Sequence, residues 1–188
     1  MTNFPWLTTI MLLPLVGAVV VFALPAGLAD RAKHIALGVS GVTLLLTIAA
    51  ALQFSTSSGE QFQLVEQHEW IPQFGVSYAL GVDGIALVMI LMAVILAPVC
   101  ILAAWDDVPE GGSREKNYFA LMLVLETFMV GVFAATDVFL FYVFFEAMLI
   151  PMYFLIGRFG GPRRQYAAVK FFLYSLFGGL IMLASKNT

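Results

Sequence analysis

Apolar residues run along this chain in six long blocks separated by polar breaks. A helix needs about 20 residues to cross the hydrocarbon core of a bilayer. The blocks 4–24, 34–54, 83–104, 118–135, 137–157 and 165–185 are close to that length. The pattern predicts an all-α, polytopic integral membrane protein, with six transmembrane helices forming one membrane domain over residues 1–188. Most breaks are short. The exception is 55–82, a loop that opens with the polar stretch STSSGEQ. Within it VSYAL, 76–80, alternates weakly and predicts a short strand paired with FQLV, 62–65.

Composition points the same way. Hydrophobic residues make up 61% of the chain and charged residues 11%, with mean hydropathy +0.95. Soluble domains sit near half apolar and about a quarter charged. A net charge of -3 and the lack of a basic patch leave no case for nucleic acid. The single cysteine, Cys100, excludes an internal disulfide and a CxxC metal motif. His34 and His68 fall at or beyond segment ends, so no His pair inside a span offers a haem or metal site. The chain opens MTNFPW, without the positive start of a secretory signal peptide, and PAGLA, 25–29, only loosely resembles a cleavage site. The glycine pairs at 111–112 and 160–161 lack the context of a phosphate loop.

Lys and Arg give an orientation. Arg31 and Lys33, Arg114 and Lys116, and Arg158, Arg163 and Arg164 all fall in alternate breaks, while 55–82 holds none. The positive-inside rule then makes 25–33, 105–117 and 158–164 cytoplasmic and puts the amino terminus and 55–82 outside. Trp70, Trp105 and Tyr118 lie where interfacial aromatic anchors are expected.

Against this apolar background a few polar residues stand out. Glu146 lies in LFYVFFEAMLIPMYFLIG, 140–157, near the middle of the fifth block. A charged side chain at such a depth costs a few kcal/mol, and an intramembrane acid is by default a functional residue; the bland alternative is a structural carboxyl hydrogen-bonded between helices. Tyr142, Glu146 and Tyr153 fall within about 40° of one another at helical spacing and form a polar stripe. Pro151 cannot donate to the Ala147 carbonyl, which predicts a bend just past Glu146 and a free polar backbone group. Glu126, in the fourth block, falls at the same depth if the two helices form an antiparallel hairpin about Thr136. A carboxyl whose proton affinity a nearby charge can move across neutrality can load and release a proton.

Lys170 repeats with Tyr166 and Tyr174 on one face of the sixth block. It is predicted about 9 Å deep, against about 18 Å for Glu146 from the same side. Direct pairing is therefore not expected; Lys170 either snorkels to the interface or serves a proton path through waters. Asp83 and Asp137 open helices and are expected to cap them.

The stretch FYVFFEAMLIPMYFLIG resembles the fifth membrane helix of the M-type antiporter-like subunits of bacterial respiratory complex I, whose mitochondrial counterpart is chain 4. The resemblance extends to WIPQFGVSYALGVDGI, 70–85, LMLVLETFMVGVFAATDVFLFY, 121–142, and AVKFFLYSLFGGLIMLAS, 168–185. It implies a proton-pumping, membrane-arm module of an NADH:quinone oxidoreductase in the bacterial cell membrane, in contact with other membrane-arm subunits, lipid and protons. It also implies that this chain holds no redox cofactor, with NADH, flavin, iron–sulfur clusters and quinone on other subunits. Glu146 matches the family's proton-relay Glu, and Glu126 and Lys170 match secondary ionisable positions. Family members have about fourteen helices and pair that Glu with a Lys on the seventh, so six helices imply an amino-terminal portion, expected to be inactive alone. Without that Lys, Glu146 is expected to sit protonated or to borrow Glu126 as a hydrogen-bond neighbour. Large subunits of multisubunit sodium/proton antiporters and of membrane-bound hydrogenases share the helix-five Glu and are the alternative; a purely structural membrane piece is the other.

Overall fold

The computed structural model describes residues 4–57, 59–107, 113–159 and 161–186. Its elements in chain order are α1 (Trp6–Ala23), α2 (Ala32–Leu52), β1 (Gln63–Ile71), β2 (Val76–Val82), α3 (Gly84–Ala103), α4 (Ser113–Ala134), α5 (Val138–Phe159) and α6 (Arg164–Lys186). All six helices are long and apolar enough to cross a membrane. In hydrocarbon each backbone N–H and C=O must be satisfied within the protein, which favours helices for all six apolar blocks.

Five of the six expected spans start within two residues of the observed helices. The exception is α4, which begins at Ser113 rather than 118. Its first turn is polar, so hydropathy misses it, yet that turn ties down two other helices. Lys116 Nζ donates to the carbonyls of Phe22 and Leu24 at 3.3 and 2.9 Å, at the C-terminal end of α1. Arg114 Nη2 donates to the Arg158 carbonyl at 3.1 Å, in the last turn of α5. Cations there meet orphan carbonyls and the negative end of the helix dipole.

At the other end of the bundle lies a two-stranded antiparallel hairpin, β1–β2. The expected strand at 76–80 is present, but its partner is not FQLV. Leu80 pairs with Glu66, Tyr78 with His68 and Val76 with Ile71. Leu64 has φ 55°, and the register shifts between Gln63 and Glu66, so the 62–65 stretch cannot pair regularly with VSYAL. Gly75 takes φ 66° at the turn, a conformation that costs glycine little.

The hairpin is fastened at two points. Glu66 Oε2 accepts from the Thr8 amide at 3.0 Å and from its hydroxyl at 2.6 Å, capping the first turn of α1, with the Tyr78 hydroxyl 3.0 Å from Thr8 Oγ1. Burial pushes the Tyr78 phenol above its ordinary pKa of 10.0. β2 then reaches the α4–α5 turn, where the Thr136 amide donates to the Ala79 carbonyl at 3.0 Å and Leu80 bridges Ala135. Both expected caps form: Asp83 Oδ1 accepts from the Ala86 amide at 2.7 Å, and Asp137 Oδ1 from Phe139 and Leu140 at 2.9 and 3.1 Å.

The first four helices share two apolar clusters. One, at the hairpin end, contains Leu7, Ile10, Leu80, Ile90 and Val130. The other, at the opposite end, contains Val21, Ala36, Ile101, Phe119 and Leu123. Between them along α2 and α4 lie buried polar residues: Ser40, Thr43 and Thr47, and Glu126 and Thr127. The α2 hydroxyls donate to carbonyls of their own helix at 2.8–3.0 Å, so they need no partner across the bundle. Replacing Glu66 by Ala is predicted to release the hairpin from α1 at a cost of about 1–3 kcal/mol. Hydrogen exchange should then speed up at Thr8 and across β1–β2 while α4 stays protected.

Candidate functional site

The site is set by how α5 packs on α6. Three contacts define the antiparallel register. Gly157 faces Ala168, where a Cβ on the glycine would lie 3.4 Å from the alanine methyl. Four residues earlier on α5 and four later on α6, the Tyr153 and Phe172 rings meet edge-to-face with centroids 5.6 Å apart. Seven residues further along each helix in the same sense, Glu146 lies against Gly179. Equal steps in opposite directions keep one face of α5 turned toward α6.

That face is the predicted polar stripe. Tyr153 packs on Phe172, Glu146 on Gly179, and Tyr142 lines a cavity of about 360 Å³ with Met182 and Leu183 of α6. Tyr142, one turn before Glu146, is the polar neighbour of its carboxyl. Glu146 Oε1 is buried and accepts no hydrogen bond. α5 remains helical through the buried Pro151, leaving the Ala147 carbonyl without its usual donor one residue past the acid.

Glu126 is placed differently. It lies eight residues before the end of α4 and Glu146 eight residues after the start of α5, so both are about 12 Å from the hairpin end. Equal depth does not bring them together. Neither oxygen of Glu126 has a hydrogen-bond partner, and Glu146 turns to α6. The expectation that Glu146 borrows Glu126 is therefore corrected. The physical reason is rotation: Glu126 shares an α4 face with Leu123 and Val130, which enter the two apolar clusters of the first four helices.

Lys170 sits on the exposed side of α6, its Nζ 5.8 and 5.9 Å from the Tyr166 and Tyr174 ring centres. The stripe of the sixth block is real but faces away from Glu146, and cation–π contacts hold its ammonium. On the opposite side of the molecule from the hairpin, Trp105 packs on His34 and under Lys33 Nζ, each at 5.0 Å. Among the described residues no group of three or more His, Cys, Asp or Glu is placed to hold a metal ion.

Two contacts were not legible in sequence. Glu66 lies outside the strands expected from the pattern, and its partner Thr8 is 58 residues away. Gly179 gave no signal beyond the GG pair at 178–179.

Comparison with known proteins places this geometry. Residues 135–186, the part that carries Glu146, match the family described as NADH:quinone oxidoreductase/Mrp antiporter, TM. The chain is 46% identical over 212 residues to NADH-quinone oxidoreductase subunit M of Mycobacterium tuberculosis (strain CDC 1551 / Oshkosh), covering 98% of this chain and 38% of that protein. The chain is similar to that subunit M along nearly all of its own length. A chain of respiratory complex I from Thermus thermophilus with bound NADH superposes with TM-score 0.78 at 28% identity, over 95% of this chain and 34% of that one. A chain of the Mrp complex from Dietzia sp. DQ12-45-1b shares the fold, with TM-score 0.79 at 23% identity over 95% of this chain and 18% of its own. The chain is thus a multi-pass, predominantly helical membrane protein with an antiporter-like fold, and it spans 38% of the length of the Mycobacterium relative.

A buried carboxyl with no hydrogen bond is costly to its surroundings by roughly 1–3 kcal/mol. Replacing Glu126 by Met should therefore raise the thermal midpoint of the detergent-solubilised protein by roughly 2–4 °C per kcal/mol relieved. A fall of several degrees would reveal a partner that Glu126 depends on.

Proposed function

We propose that this chain is the six-helix, amino-terminal portion of a proton-translocating membrane-arm subunit of NADH:quinone oxidoreductase, and that Glu146 is its proton-accepting carboxyl. The observation that carries the proposal is the position of Glu146. Its carboxyl lies at mid-depth in a helix seam, with one oxygen buried and unbonded and a polar neighbour, Tyr142, one turn away. The site region falls inside the segment matched to the antiporter family.

The mechanism follows from charge in a poorly solvated seam. Nearby charge sets how readily a carboxyl holds its proton, and an approaching cation favours release. Moving one charge against the membrane potential costs about 2.3 kcal/mol per 100 mV. A change of two to three units in proton affinity, at about 1.4 kcal/mol each, is of that size. The cation would come from outside these six helices, because Lys170 points away from the seam. In this reading the chain binds no redox cofactor; electron transfer belongs to other subunits, and the chain contributes packing surface and the carboxyl. The loops at 25–33, 105–117 and 158–164 face the cytoplasm of a bacterial cell, and the hairpin faces outside. Glu126, buried and unpartnered, is a secondary site for a proton.

The Mrp-type reading, sodium/proton exchange, is supported by shared fold alone at 23% identity. The chain's 46% identity to a subunit M favours the complex I assignment. Glu146→Gln in the whole complex is predicted to abolish NADH-driven proton uptake by membrane vesicles while the complex still assembles. Unchanged pumping would remove Glu146 from the proton path, and sodium-dependent exchange without NADH oxidation would move the chain to the antiporter class.

A further inference from the structure

Gly179 is the one described residue of α6 whose missing side chain leaves room for the carboxyl of Glu146. A Cβ built at Gly179 would collide with Glu146 Oε1, while the nearest other atom, Phe145 Cε1, would be at an ordinary 3.4 Å. Gly179 is buried in the seam. Its neighbour Gly178 is exposed, and a Cβ there meets nothing within 4 Å. Two adjacent glycines thus differ completely in what a methyl group would touch.

The packing on either side makes the contact specific. The Tyr153–Phe172 ring pair and the Gly157–Ala168 contact fix α5 against α6 toward the far end of the seam. With the helices held there, a methyl at Gly179 has one inexpensive accommodation. The flexible end of Glu146 swings away; the two backbones need not separate. The substitution therefore acts on the position of the carboxyl rather than on the fold.

We propose that Gly179 is a positioning residue for Glu146: the absence of a side chain on α6 at this point is what lets the carboxyl lie inside the α5–α6 seam. Its effect on transport rests on the reading of Glu146 as the proton acceptor; its effect on where the carboxyl lies does not. The two are tested separately.

Gly179→Ala and Gly178→Ala are made in the whole complex and compared in two measurements. The first is the rate at which a hydrophobic carbodiimide labels Glu146, read by mass spectrometry of the α5 peptide. Gly179→Ala should raise labelling several-fold, because the carboxyl leaves the seam, and Gly178→Ala should match the unmodified protein. Equal labelling in both variants would overturn the proposal. The second is NADH-driven proton uptake, which Gly179→Ala should lower about tenfold, since catalytic groups misplaced by an ångström lose activity on at least that scale.

A double variant separates a through-space effect from general damage. Glu146→Asp shortens the side chain by one methylene and vacates the space that the Ala methyl would take. Adding Gly179→Ala to Glu146→Asp should then cost no further activity. Independent, multiplicative losses would contradict the proposal. Should Gly179→Ala alone fail to assemble, recovery of assembly on the Glu146→Asp background supports the contact, and failure on both backgrounds overturns it. If Glu146→Gln pumps normally while Gly179→Ala still alters labelling, the assignment of Glu146 to the proton path fails and the positioning role of Gly179 stands.

Discussion

The structure depends on α4. Of the six helices it alone packs on α1, α2, α3 and α5, and its first turn holds the C-terminal ends of α1 and α5 through Lys116 and Arg114. In a bilayer the hydrophobic effect does little to hold helices together, because lipid is as apolar as the side chains. Close packing and satisfied end groups must do it. Phe119 and Leu123 anchor one apolar cluster and Val130 and Ala134 the other, so the same helix joins both halves of the core. α6 stands apart from this arrangement. It packs on α5 and leaves Leu173, Phe177 and Ile181 exposed.

The position of Glu146 follows from that arrangement. α5 has α4 on one side and α6 on the other. Apolar residues such as Leu140 and Phe144 go to the cluster shared with α4, and the polar stripe is left for α6. Glu126 belongs to the closed four-helix side and Glu146 to the looser side. This explains how two acids at one depth, on neighbouring helices, occupy separate environments. Glu126, by contrast, is almost fully buried among α4 and its partners.

Much of this was legible from residue pattern. Six apolar blocks gave six helices because backbone satisfaction in lipid allows almost nothing else. Asp83 and Asp137 marked helix starts because an acid there has a local task. The stripe of Tyr142, Glu146 and Tyr153 is a matter of helical spacing and survived intact. What did not show depends on rotation and long-range contact. Helical spacing shows that Glu126 and Glu146 are level, but not which way each turns about its axis. Lys170 keeps its stripe but turns it outward for the same reason. The β1–β2 register was missed because Leu64 adopts a positive φ that its side chain does not advertise, and Glu66 because its partner is in another element. The early start of α4 escaped hydropathy because its first turn is polar by function.

The central claim is that the polar face of α5 packs against α6 in the register that brings Glu146 to Gly179. Gly157 and Ala168 report it most directly, because a Cβ at Gly157 would lie 3.4 Å from that of Ala168, close to the separation of about 3.8 Å found across disulfides. With Cys100 replaced by Ser, the pair Gly157→Cys and Ala168→Cys should form a disulfide rapidly under mild oxidation in the membrane. The pair Ile156→Cys and Ala168→Cys, turned by about 100° around α5, should not. Cross-linking of the second pair in preference to the first would contradict the account, because it would rotate Glu146 out of the seam.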